Sequence, residues 1–436
     1  MRMKPVFIAA FAVFCWTTLF YPQQQIPDIR GKIYGKGGVR INIALPDFRP
    51  KESSETTISA AQKFHQVLWD DLQFCGIFQM VQREYYSLIS PIDENRINFE
   101  DWASIGSEAL LVGNVSCQED TLIVEGRLFD VKTGQQMIGK RYRSEADQHR
   151  LIAHTLADEI VRTYTGQKGV ATTQIVFVSD REESKEVYLM DYDGDSQRRI
   201  TYFQSINLFP AISPDGEAIA FTSYLEENPD LYLLRRHGGN IVRLMADLGM
   251  STTPDWSPDG KKLLFTSSRD GNAEIYMVKA DGSDVARLTR NHSIDTSPCW
   301  SPTGRQIAFT SDRSGTPQIY IMDAEGTNIT RLTRQGNYND TASWSPNGLE
   351  IAYASRVGGI FDIFVINLTN EEIRRLTINS GSNESPSWSP DGRHIVFCSN
   401  RSGSYQIYTM EPDGSNQKRL TTRGNNTSPR WSRWTK

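Results

Sequence analysis

From residue 174 onward, apolar and polar positions alternate in short runs, and the runs recur at a fixed spacing. One unit reads TPDWS, KLLFTSS, EIYMV and VARLT between Thr253 and Thr289, with Asp259-Gly260 and Asp281-Gly282 in two of the gaps. Period-two alternation broken by Asp-Gly pairs predicts antiparallel strands joined by tight hairpins. A tryptophan falls at Trp256, Trp300, Trp344 and Trp388, every 44 residues, with Ile212 one period earlier. Ser-Pro-Asp-Gly or a close variant follows each of these positions. A serine from Ser179 to Ser399 and an arginine from Arg199 to Arg419 hold the same phase. Four strands in a repeat of this length predict a β-propeller blade.

The ends of the array predict how it closes. It begins at a second strand, QIVFVSD from Gln174, and finishes on a lone tryptophan strand, SPRWSRW, with Trp431 lying 43 residues after Trp388. That last strand supplies the innermost strand missing from the first blade, so the ring closes without open sheet edges. Counting second strands predicts six blades, one of them strand-swapped, over residues 174–436.

Residues 22–166 carry no repeat and predict a flexible arm followed by an α/β domain, which makes the expected class multidomain. VRINIAL at 39–45 alternates like a strand. Ile58, Ala61, Leu68, Leu72 and Cys75 share one helical face. ALLVGNVSC, TLIVEGRLFD and QQMIGKRYR predict three strands turning at Glu119-Asp120 and Thr133-Gly134. Ile152, Leu156, Ile160 and Tyr164 recur every four residues in a second helix that Gly166 is placed to end. At the front, MRMK precedes a 15-residue apolar stretch at 6–20, short for a bilayer span and suited to an export signal over 1–21. The alternative there is a buried N-terminal helix.

Composition narrows function mostly by exclusion. A net charge of −5 argues against a general nucleic-acid binder. Cys75 and Cys117 either pair in an oxidising compartment or remain separate buried thiols; Cys299 and Cys398 read as core residues. No Cys/His spacing suggests zinc, and there is no nucleophile elbow, zinc helix or phosphate loop. DYDGD, from Asp191 to Asp195, reads as a hairpin turn, because Tyr202 stands where a calcium loop needs a bidentate Glu. GKIYGKGG from Gly31 reads as part of the arm. His149 and His154 are five apart, a spacing that suits surface or capping roles better than a helical metal pair. Prolyl-peptidase-type enzymes carry similar blades beside a large hydrolase domain, for which this sequence leaves no room. No cofactor or metal is expected.

A binding surface is easier to find. Five residues before each tryptophan-equivalent position stand Asn207, Ser251, Asp295, Asn339, Asn383 and Asn426, followed by Leu208, Thr252, Thr296, Asp340, Glu384 and Thr427. These loops converge on one rim of the central channel, and their small polar groups suit docking a partner's segment; ordinary loop capping is the alternative. Arg181, Arg269, Arg313 and Arg401 read as partners for turns or carboxylates between blades, and the tryptophans as blade core.

IALPDF (43–48), DEIVRTYTGQKGVATTQIVFVSD (158–180) and the repeated WSPDG…IAFTS…IYIMD…RLT units carry a resemblance. The chain resembles the TolB family, periplasmic propeller proteins of the bacterial Tol–Pal envelope system, over nearly everything after the signal. The resemblance implies a non-enzymatic periplasmic adaptor, monomeric alone and without a stable membrane span once processed, that serves envelope integrity and outer-membrane invagination at division. It implies docking of the peptidoglycan-associated lipoprotein Pal at the channel mouth through Ser251, Thr252, Thr253, Asp295, Thr296 and their ring equivalents. It further implies a contact of the arm (Ile26, Asp28, Ile29, Tyr34) with TolA, and contacts with outer-membrane proteins. The competing readings are a propeller hydrolase and a periplasmic small-ligand binder.

Overall fold

The computed structural model describes residues 40–92, 96–235, 241–245 and 249–434. The expected export signal, the GKIYGKGG stretch and the arm residues Ile26, Asp28, Ile29 and Tyr34 lie outside the described residues. Everything described falls in one compact unit. Among these residues no helix is long and apolar enough to cross a membrane.

Six four-stranded antiparallel sheets form the propeller. Five follow chain order. The sixth runs Asn426–Trp431, Gln174–Glu182, Ser184–Asp191 and Arg198–Arg199, so the last strand closes the first blade as its ends predict. The tryptophans end the innermost strands, buried between neighbouring blades, where Trp256 and Trp300 enter separate apolar clusters with residues of the preceding blade. The turn that follows is locally self-satisfied. Ser257 Oγ donates to Asp259 Oδ1 at 2.6 Å and accepts the Lys262 N–H at 2.9 Å, while Gly260 takes the positive φ of 71° that suits a residue without Cβ.

Antiparallel order gives the propeller two unlike faces. Each innermost strand starts at an inter-blade loop and ends at a Ser-Pro turn. Inter-blade loops and second-to-third-strand hairpins therefore share one face, the loop face. The Ser-Pro and Asp-Gly turns share the other, the turn face.

The N-terminal α/β region packs on the turn face. Its six-stranded sheet has the order Phe78–Met80, Ile41–Ala44, Ala109–Gln118, Thr121–Asp130, Gln136–Glu145, with Arg49–Pro50 beside Ala109–Gln118. Two helices, Glu55–Phe74 and His149–Thr165, pack against it, and Gly166 caps the second in the left-handed conformation. Ile41–Ala44 pairs in parallel on both sides and is almost wholly buried rather than alternating, as a central parallel strand must be. The first helix buries Ala61, Leu68, Leu72 and Cys75 of the predicted stripe, with Thr57 and Phe64 beside them, while Ile58 is 39% exposed. Cys75 and Cys117 are both free thiols, which decides between the two readings of that pair. Burial pushes the Cys75 thiol up to about 12, and it donates to Leu72 O.

One apolar core runs from this region into the closing blade and the blade before it, joining Leu68, Leu72 and Ile152 to Tyr192, Val396 and Trp431. Polar contacts seal the junction. His394 Nε2 donates to Phe74 O at 2.9 Å with the two rings stacked 3.9 Å apart, and Trp434 Nε1 donates to Gly169 O at 2.6 Å. The DYDGD turn is a hairpin turn as read, and its Asp193 and Asp195 each hold Arg150 of the second helix at 2.8 Å. His154 corrects the surface reading: it is buried, and Nδ1 meets Asp71 Oδ2 at 2.8 Å while Tyr192 O–H donates to Asp71 Oδ1 at 2.5 Å.

Candidate partner-binding mouth

The loop-face mouth is built in three tiers along each innermost strand. The outermost tier is Asn207, Ser251, Asp295, Asn339, Asn383 and Asn426, and every one of these side chains is fully buried. This corrects the reading that places them on the rim. The four asparagines each join a clamp centred on the first core-facing residue of the preceding blade's third strand, Glu186, Gln318, Asp362 or Gln406; Asp230 and Glu274 hold the same phase in the other two blades. Asp362 shows the arrangement. It accepts from Thr377 Oγ1 at 2.7 Å, from Arg375 Nη2 at 2.5 Å and from Asn383 Nδ2 of the next blade at 3.1 Å. Glu186 repeats it with Thr201, Arg199 and Asn207, and Gln318 and Gln406 keep the threonine and asparagine contacts. A buried carboxylate is tolerable only when paired and fully hydrogen-bonded, so the recurring Arg-Leu-Thr is the acid's solvation shell.

The loop arginines complete the clamp as expected. Arg181 and Arg401 donate to Asn426 Oδ1 and Asn383 Oδ1 at 3.0 and 2.7 Å, Arg313 pairs with Asp295 at 2.8 Å, and Arg181 and Arg401 lie over Tyr188 and Tyr408. The acids at the third-strand starts escaped the sequence reading, although they keep the 44-residue phase and are polar residues inside apolar strands. That combination was the available signal.

The second tier faces the mouth. Leu208, Thr252, Thr296, Asp340, Glu384 and Thr427 are half-buried. Asp340 accepts from Thr310 Oγ1 of the preceding blade at 2.7 Å, and Glu384 from Ser382 Oγ and the Tyr405 hydroxyl. Burial, and then the hydrogen bond to Glu384, push the Tyr405 hydroxyl up to about 12. The hydroxyls of Thr252, Thr296 and Thr427 have no partner among the described residues. The third tier, which includes Thr253, sits at a register shift in each innermost strand. Phe209, Thr253, Ser297, Thr341, Ser385 and Ser428 all take φ of 50–54° and line a channel cavity of about 40 Å³. A bulge of this kind re-aims the side chains after it.

Around the mouth, Ile206, Met250 and Ile294 precede the innermost strands of three successive blades and are 46%, 42% and 52% exposed. Tyr202, Tyr224 and Leu225 extend this apolar arc on the same face. Among the described residues no cluster of three His, Cys, Asp or Glu side chains could hold a metal ion.

The family model for the TolB beta propeller domain matches residues 161–363 and 343–436. The chain belongs to the TolB family. The model for the TolB amino-terminal domain matches residues 31–137. A crystal structure of TolB from Acinetobacter baumannii superposes with a TM-score of 0.79, at 27% identity over 91% of this chain and 97% of that one. A protein TolB homolog of Chlorobium chlorochromatii is 39% identical over 185 residues, and a Tol-Pal system protein TolB of Geobacter sulfurreducens is 38% identical over 192. These two alignments span 42% and 44% of the relatives' own length. The six-bladed propeller joined to an α/β region is thus a TolB architecture.

Proposed function

We propose that this TolB chain is a non-enzymatic component of a Tol–Pal system in the periplasm, docking the peptidoglycan-associated lipoprotein Pal on the loop-face mouth of its propeller and supporting envelope integrity at division. The observation that carries this reading is the mouth itself: three unpartnered threonine hydroxyls beside an exposed apolar arc, on the face that the α/β region leaves uncovered. Polar groups that fix orientation beside apolar groups that supply burial are what a protein interface combines. The name of the Geobacter relative supports the same system. Residues 1–21 serve as the export signal in this reading. The arm around Ile26, Asp28, Ile29 and Tyr34 contacts TolA.

Calorimetry of the mature protein with the soluble domain of its own organism's Pal tests the docking site. Saturable binding is expected, lost by at least a hundredfold in the Thr252→Arg, Thr296→Arg double variant, where bulk and charge fill the mouth. Failure of the folded wild type to bind overturns the Pal contact.

A further inference from the structure

The sixfold pattern breaks on the closing strand. The position just before the tryptophan holds Ala211, Asp255, Cys299, Ser343 and Ser387 in the other blades but Arg430 here. The position two residues after it is proline in every other blade and Arg433 here, because no Ser-Pro turn follows this strand. Both arginines line a cavity of about 310 Å³ at the turn-face mouth of the channel, walled by indole rings and Ser-Pro turns. Arg430 also borders the small cavity on the loop side, so it stands across the channel between the two.

The charge in this vestibule is unbalanced. Neither guanidinium has a hydrogen bond or ion pair to a described residue. The one carboxylate in the lining, Asp255, already accepts the Trp300 N–H at 2.8 Å. Behind the wall, the buried indole N–H groups of Trp300, Trp344 and Trp388 lack acceptors among the described residues, whereas those of Trp256 and Trp431 are satisfied. A second cavity of about 410 Å³ shares Pro346, Pro390 and Trp434 with the first and adds both Lys168 and Asp391, so the excess of cations is confined to the first. Two cations share the single nearby carboxylate of Asp255 and bond to neither of its oxygens, which leaves a net positive charge against indole and proline; that favours an anion bringing acceptors in a plane, and a carboxylate matches the guanidinium fork. A volume near 300 Å³ lies in the range of small-ligand sites.

We propose that this vestibule binds a small organic carboxylate with an apolar body, its carboxylate on Arg430 and Arg433 and its body against the tryptophan wall. The site is separate from the loop-face mouth and stands whether or not that mouth docks a partner.

The full mature chain titrated with benzoate, benzamide and inorganic phosphate, followed by tryptophan fluorescence and calorimetry, tests it. Benzoate is expected to bind saturably and benzamide at least tenfold more weakly. The Arg430→Gln, Arg433→Gln variant should lose at least tenfold in benzoate affinity, and the Lys, Lys variant should retain most of it. Arg433→Gln alone, at the outer position, is the comparison should the double variant fail to fold, with the same loss expected in part. Equal affinity for benzamide, unchanged affinity in the Gln variants, or no saturation by about 10 mM overturns the proposal. Phosphate binding more tightly than benzoate overturns the apolar body of the ligand.

Discussion

The two mouths of the channel are made by the same six strands, yet one is finished by repetition and the other by a foreign surface. At the loop face four of the six blades close on the next through one clamp, an acid or amide held by the threonine after its fourth strand and met by the next blade's asparagine. At the turn face the apolar core continues out of two blades into the α/β region, and the polar contacts there occur once each: Asp71 with His154 and Tyr192, Phe74 with His394, Arg150 with the DYDGD turn. A repeated contact spends its polar residues on holding the ring shut, so function on that face falls to the residues one step along the strand. A contact made once fixes where the neighbouring region sits.

The comparison breaks if the clamp is not structural. Asp362→Ala leaves Arg375, Thr377 and Asn383 without their shared acceptor in a fully buried site. The expected cost is about 3–5 kcal/mol, read as a lowered urea midpoint. A variant as stable as the wild type shows that the outer tier is free to do something else. Tyr192→Phe probes the once-made contact at the other face. It removes the O–H donor to Asp71 while keeping the ring against Phe74, so a loss of about 1–3 kcal/mol is expected in the same measurement. Smaller still is the stability effect of Thr252→Arg, Thr296→Arg, about 0.5 kcal/mol or less, because both side chains are half-exposed and hold nothing together. That near-silence sharpens the binding test, since lost binding in this variant cannot then be assigned to unfolding.

The fold was legible because repetition multiplies every weak local signal. One Trp-Ser-Pro-Asp-Gly is an unremarkable hairpin, and the same phase at Ile212, Trp256, Trp300, Trp344 and Trp388 makes a ring, whose missing strand Trp431 supplies. The site was legible only in position. Phase alone placed Asn383 and Glu384 side by side at the mouth, but which of the two turns inward depends on the strand register, and the bulge at Ser385 is invisible in the letters. In the α/β region each element had its own single signal. The helix stripe from Ile58 missed by one residue, because Thr57, with its hydroxyl bonded near the helix start, takes the buried place. The Asp71 network had no local signal at all: its partners lie 83 and 121 residues away in sequence.

That network gives the turn face a dependence on pH. Burial works against charge on His154, but the hydrogen bond and charge of Asp71 outweigh it, and the imidazole pKa is raised above 6.5. Burial likewise raises the Asp71 carboxyl, with His154 and Tyr192 pulling it part of the way back. Both groups therefore hold protons to higher pH in the folded chain than in the unfolded one. Stabilisation from His154 is fully present below pH 6.5 and is lost as pH rises through its raised folded value. The Asp71 shift has the same sign, upward from the ordinary carboxylate value of 3.8. His154→Gln keeps a donor for Asp71 but binds no proton. Melting temperatures from pH 6 to pH 9 should then decline more steeply in the wild type than in the variant, by a few degrees at most. Parallel curves place the proton elsewhere and leave the His154–Asp71 contact a matter of packing alone.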